Sequence, residues 1–183
     1  SNIIDDYKRN YNYENAINYY NDAISINQNY FESYVGKYKA LFNLEKYAES
    51  LLTVNIAQNL YPEKMELLFY RGVAKKEMGD NKGFLEDLNN ALESNQLDSF
   101  LVSDIYRFRG SYYYKENNYD LAITETSRSI DYNKKNVYAY VMRGLSYIEK
   151  GETTKACDDF YKAAELGYLI IYEDIKKFCN SNN

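Results

Sequence analysis

A pattern that returns at a fixed spacing constrains this chain more tightly than anything in its composition. Residues 137–167, VYAYVMRGLSYIEKGETTKACDDFYKAAELG, read as two short helices around a turn at Gly151-Glu152. Tyr140, Arg143, Gly144 and Tyr147 share one face of the first helix, and Ala156, Phe160 and Ala163 share one face of the second. Steps of three and four are what a single buried helix face requires. Gly144, Ala156 and Ala163 are small enough to let two axes approach while Tyr140, Tyr147 and Phe160 interlock. Counting back in steps of about 34 residues places the same frame at Ser103, with Tyr106, Arg109, Gly110, Tyr113, Ala122 and Thr126. It recurs from Met65, with Leu68, Arg71, Gly72, Leu88 and Ala91, and from Phe31, with Tyr34, Leu41, Tyr47, Val54 and Ala57. Ala16, Tyr20 and Ala23 repeat the second-helix pattern earlier still. The spacing predicts helices at about 2–10, 14–27, 31–43, 47–60, 63–78, 81–94, 98–116, 119–132, 137–149, 153–166 and 170–180.

One such helix pair cannot bury its own apolar face, so neighbours must stack. The expected fold is all-α, a right-handed superhelical solenoid of antiparallel helix pairs in one domain, residues 1–183. Its repeats are approximately 1–30 (partial), 31–64, 65–98, 103–136 and 137–167, with a capping helix over 168–181. This frame resembles the tetratricopeptide repeat, a 34-residue helix–turn–helix unit. ACDDFYKAAELG followed by a helix ending KKFCN is similar to the carboxy-terminal ends of such repeat proteins in Bacteroidetes.

Two places depart from the frame. Phe84 stands where other repeats have Ala or Ser, and its ring should separate the two helices unless Gly83 makes room. Four extra residues within 96–102 precede the next repeat; four residues are about one helical turn, which predicts a longer helix from about Asp98. At the end of the chain, Ile171, Tyr172, Ile175, Phe178 and Cys179 form one face, and Glu173, Asp174, Lys176, Lys177 and Asn180 the other. That is the pattern of a cap that covers a last repeat. Cys157 faces that cap, so Cys157 and Cys179 are a candidate disulfide, worth about 3 kcal/mol by loop closure. Two packed thiols are the alternative. An oxidised pair would favour the periplasm or cell envelope over the cytoplasm; otherwise the compartment is open, as is whether Ser1-Asn2 is a native start.

The chemistry available is narrow. The chain has no His, two Cys without a CxxC spacing, and eight scattered Gly. It therefore lacks the usual general base, a zinc-ligand pattern and a phosphate-binding glycine loop, and no catalytic residue, metal or cofactor is expected. A net charge of −5 argues against a nucleic-acid partner, which needs a basic surface. No apolar run reaches the roughly 20 residues that span a bilayer. Adjacent carboxylates such as Asp158-Asp159 point about 100° apart on a helix, as solvated faces do.

Arg71, Arg109 and Arg143 each precede the Gly of their repeat, and Asp87, Glu125 and Asp159 lie sixteen residues further on. Hairpin geometry should set each Arg against its acid as a structural ion pair, with a ligand-reading Arg as the lesser reading. Lys37 and Thr53 lack the pair. The tetratricopeptide resemblance implies a concave surface, lined by the opposite side of the first helices, where a peptide or helix would bind. Its candidate residues are Lys39, Phe42, Phe69, Tyr70, Arg107, Phe108, Tyr114 and Tyr138, with Arg107 foremost. A subgroup of these repeats grips carboxylate tails of chaperones. The matching positions here, Val35, Lys39, Tyr70, Asp104 and Phe108, do not reproduce that set.

The expected function is a protein–protein interaction or scaffold module without catalysis, binding a peptide or helix of unknown identity. The alternative is homo-oligomerisation through an open amino-terminal face bearing Ile3, Ile4 and Tyr7.

Overall fold

A computed structural model describes the backbone of residues 3–179 and the side chains of residues 9–179. The expected roles of Ile3, Ile4, Tyr7 and Asn180 lie outside the described side chains. Among the described residues all regular structure is helical. The chain divides into two compact units, residues 1–96 and 97–183, and the division falls at the four extra residues that interrupt the repeat frame.

The first unit holds α1 (Ile3–Ile26), α2 (Phe31–Asn43), α3 (Tyr47–Leu60), α4 (Glu66–Glu77) and α5 (Asn81–Glu93). Each packs on the next in the chain. Its core gathers Tyr34, Tyr38, Val54, Ala57, Leu67 and Ala74, with Phe84, Leu88 and Ala91 buried where α5 meets α4. The second unit holds α6 (Ser99–Lys115), α7 (Tyr119–Tyr132), α8 (Val137–Glu149) and α9 (Thr153–Glu165), followed by a capping segment. There Ile130, Ala139, Tyr140, Ala156, Phe160, Ala163, Ile171 and Ile175 form one core.

Three expectations need correction. The helices expected at 2–10 and 14–27 are one continuous helix, α1. Residues 9–14, RNYNYE, contain neither Gly nor Pro, and two Asn side chains do not by themselves stop a helix. The capping segment is not one α-helix. It is a 3₁₀ turn (Leu169–Ile171), one α-helical turn (Tyr172–Asp174) and a π-helical stretch (Ile175–Cys179), bent so that Ile171 and Ile175 are both buried. The Phe84 ring does not separate α4 from α5, and what surrounds Gly83 is Asp80 and the stem of Lys75 on α4. A β-carbon there would collide with Asp80, whose carboxylate caps α5 by accepting from the Gly83 N–H at 2.8 Å. Phe84 is simply buried. Asp80, Asp98 and Asn136 cap α5, α6 and α8 through their side chains. α6 is, as its extra turn implies, longer than α7, α8 or α9.

The turns inside the pairs keep the frame too. Glu45, Gly79, Asn117 and Gly151 occupy the same place between first and second helix, and all four have positive φ. That left-handed residue lets the chain leave one helix and enter the next; Gly pays least for it, Asn little, and Glu45 most.

The pairs cross closest at their glycines. A β-carbon on Gly72, Gly110 or Gly144 would lie 3.2, 3.3 or 3.2 Å from the carbonyl oxygen twelve residues on, at Phe84, Ala122 and Ala156 respectively. At Gly144 it would also lie 2.5 Å from the Phe160 ring, which is fully buried and cannot swing aside. Gly144→Ala should therefore destabilise the protein by about 1–3 kcal/mol through overpacking, despite alanine's better helix propensity. Gly72→Ala should cost less, because its nearest neighbour is the flexible end of Leu88. Urea unfolding of both variants checks this, and an unchanged or raised midpoint for Gly144→Ala would refute it.

Candidate functional site

The outward sides of the first helices carry the expected binding residues, and the two units treat them differently. In the first unit, α2 and α4 put their aromatic side chains into one packed ladder. Tyr38 and Tyr70 have ring centroids 5.0 Å apart, Tyr38 and Phe42 5.7 Å, and Phe42 reaches Tyr47 of α3 at 5.1 Å. Phe69 sits 5.6 Å from Tyr70 and is only 8% exposed, so it belongs to the packing and not to a contact surface. Burial first, then Tyr70 and Glu77, pushes the Tyr38 hydroxyl well above the ordinary phenol range, which keeps it neutral. Of the four candidates here, Lys39 alone is exposed. Its ammonium lies 5.4 Å from the Tyr70 ring centre.

In the second unit the arrangement is more open. The Arg107 guanidinium lies 4.2 Å from the Phe108 ring centre and 5.6 Å from that of Tyr138, which is 57% exposed. Arg107 Nε donates to Asp104 Oδ1 at 3.1 Å. Asn136 also donates weakly to Asp104 at 3.5 Å, and its side chain is anchored in a buried polar knot. Asn136 Nδ2 donates to Ser103 Oγ at 2.9 Å and to Ser129 Oγ at 3.2 Å, while Ser103 Oγ donates to the Ser129 carbonyl at 2.8 Å. This knot ties α6, α7 and the start of α8 together and fixes the turn of helix that presents Arg107. Sequence reasoning does not find this knot, because its members lie 26 and 33 residues apart on three different helices. Tyr114 is apart from this cluster, half-buried with its ring 5.7 Å from Tyr119, and burial and Glu149 raise its hydroxyl.

The structure brings together each of the three Arg–acid pairs. Arg71 donates to Asp87 at 2.9 Å through Nε, and Lys75 Nζ joins the same carboxylate at 2.8 Å. Arg143 forks Asp159 at 2.8 and 2.7 Å and also donates to Ser127 of α7 at 3.1 Å, a contact the repeat frame does not foretell. The Arg109–Glu125 pair is looser: Nη2 donates at 3.3 Å, and Nε and Oε2, 2.9 Å apart, are not aligned for a hydrogen bond. Burial therefore wins at Glu125. It pushes the carboxyl up, against the opposing pull of Arg109 and Arg128. Each of these guanidiniums reaches across its own hairpin to the acid sixteen residues on. Cys157 and Cys179 are joined, with Cα atoms 5.7 Å apart.

Among the described residues no three His, Cys, Asp or Glu side chains gather as a metal ion would need, and no helix is long and apolar enough to cross a membrane.

The model of the tetratricopeptide repeat family matches residues 7–30 and 137–166. No curated protein matches the sequence. Among solved structures the chain is similar to MamA, at 21% identity and a TM-score of 0.66, over 91% of this chain and 95% of that one. It is also similar to YrrB, described as a tetratricopeptide-repeat protein with an unusual peptide-binding site, at 17% identity and a TM-score of 0.60, over 81% and 74%. The carboxy-terminal part of a repeat protein from Cytophaga hutchinsonii gives 23% identity and a TM-score of 0.67, over 87% of this chain and 61% of that one. At these identities the likeness shows the fold, an all-α tetratricopeptide solenoid of helix pairs.

Two outcomes test the ion pairs. Asp159→Ala leaves Arg143 with Ser127 alone and should cost about 3 kcal/mol, whereas Asp158→Ala, at an exposed neighbour, should stay within about 0.5 kcal/mol. Equal shifts in urea midpoint would contradict this. At Glu125 the folded state holds its proton more tightly than the unfolded state. Stability tied to that group is therefore complete below the ordinary glutamate value of about 4.3 and is lost as pH rises through the higher folded value. The stability of wild type relative to Glu125→Gln should fall from about pH 4.3 upward; a rising difference would mean that the arginines prevail.

Proposed function

We propose that the protein is an interaction scaffold whose second unit recognises an extended peptide or a helix on the outward faces of α6 and α8, without catalysis. A tetratricopeptide solenoid is an architecture suited to protein–protein interaction, and a rigid helical stack loses little order on binding. The observation that carries the reading is the Arg107–Phe108–Tyr138 platform. A guanidinium held by Asp104 and flanked by two rings, one of them more than half exposed, gives a flat apolar and cationic surface at a fixed position. Such a surface suits a ligand side chain that stacks on the rings or an oxygen that accepts from the outer edge of the guanidinium. The peptide-binding site named for YrrB, a neighbour in fold, supports the class of ligand and no particular residue. In the first unit Lys39 and the edge of Tyr70 offer a smaller platform of the same kind, while Phe69 takes no part.

Selection from a displayed random peptide library on the immobilised 183-residue chain tests this. It should enrich a peptide family whose binding weakens at least tenfold in Arg107→Ala and in Tyr138→Ala, with circular dichroism and unfolding midpoint unchanged. Failure to enrich any family, or equal binding by the variants, would defeat the proposal. Lys37→Ala serves as a control outside the platform.

A further inference from the structure

We infer that the capping segment is a redox-gated cover on the last face of the second unit, shut by the Cys157–Cys179 bond and released when that bond is reduced. The two Cα atoms stand 5.7 Å apart, inside the range that a disulfide spans without moving the backbone. One partner belongs to a regular helix, α9. The other ends a segment built of three short, dissimilar turns, none of which would hold a helical shape by itself. What seats the segment is apolar. Ile171 and Ile175 are buried against Ala156, Phe160 and Ala163, and the Phe178 ring lies 6.4 Å from that of Phe160. A small hydrophobic seat and a covalent tie at its far end therefore share the work of keeping the face covered.

Their balance makes a gate. Closing a loop with a sequence separation of 22 shifts the closed-to-open ratio on the order of a hundredfold in the chain-entropy model. Removing the tie hands the segment back to its own weak turns. Cys157 and Cys179 are half-buried rather than sealed in the core, so an attacking thiolate can reach the bond. The exchange balances with a dithiol–disulfide couple. Two reduced glutathione thiols supply two electrons, their protons pass to the two cysteine sulfurs, and oxidised glutathione leaves; the reverse step reseals the cover. Opening strips Phe160, Ala156 and Ala163 of that cover, while the crossing of α8 and α9 keeps its own contacts, Gly144 against Phe160 and Arg143 with Asp159.

Hydrogen exchange followed by mass spectrometry on the full chain, in glutathione buffers from fully oxidised to fully reduced, tests the inference. Amides of residues 169–179 should exchange at least tenfold faster in the reduced protein and slow again on re-oxidation, while those of 139–149 stay unchanged. The Cys157→Ser/Cys179→Ser double variant should show the fast state in every buffer. Because reduced wild type gives the same comparison, the result does not depend on that variant folding. Two titratable thiols in unfolded, unreduced protein would overturn the inference by removing the bond. Equal exchange in both states would overturn it by showing that the cover seats itself. A bond that reduced glutathione cannot open in the folded protein would make it a permanent staple.

Discussion

Close approach of two helices at one glycine governs three of the four complete repeats of this protein. Where Gly72, Gly110 and Gly144 lie over a carbonyl of the following helix, the axes come near enough for the preceding Arg to reach the acid one turn beyond that carbonyl. The two features are one device. The repeat spanning 31–64 makes the point by lacking both: Tyr38 stands in the glycine's place, Lys37 in the arginine's and Thr53 in the acid's. There the tight contact moves to the other side of the helix. Gly36 receives the Tyr20 ring of α1, and Thr53 satisfies its hydroxyl by donating to the Glu49 carbonyl. The apolar side chain at position 38 is then used to build the aromatic ladder.

That crossing also decides which residues are available for recognition. Once one side of a first helix is committed to the glycine contact and the ion pair, only the opposite side can meet a partner. In the first unit that side has been spent on internal packing, since Tyr38, Phe42, Phe69 and Tyr70 pack on one another and bury the most apolar of the set. In the second unit an arginine replaces the middle of the ladder. A guanidinium can lie against Phe108 and Tyr138 without being swallowed by them, because its edge still needs water or a ligand.

Much of this was legible in the sequence because it is periodic. The recurring glycines, the Arg–acid spacing of sixteen and the extra turn of α6 follow from counting, and they place most helix ends within a residue or two. What counting cannot reach is whatever depends on an absence or on a single event. α1 runs on because nothing in residues 9–14 stops it, although the family pattern matched over 7–30 leads one to expect a turn there. The capping segment bends so that Ile171 and Ile175 both reach the core beside Phe160, a demand that no repeat spacing encodes. Phe69 sits at a position that counting assigns to the surface, but a ring beside Tyr70 gains more by packing. The Ser103–Ser129–Asn136 knot joins three helices through residues 26 and 33 apart, a span that a helix-by-helix reading does not test.

Tyrosine explains how so thin a structure tolerates so much aromatic area. A core only two helices deep keeps most large side chains near an edge, and a phenol can fill the interior while its hydroxyl finds a polar neighbour. Tyr34 does this with the Gln28 carbonyl at 3.0 Å. Where there is no edge at all, phenylalanine fills the space instead, as at Phe84 and Phe160, both fully buried. The same economy leaves rings such as Tyr138 and Tyr172 of the second unit more than half exposed. An exposed tyrosine on a rigid helix loses little entropy when it is covered, so a solenoid that packs with tyrosine already carries the residue type that protein interfaces favour. Under the proposed reading, stability and recognition draw on one type of side chain, and its place in the repeat decides which of the two it serves.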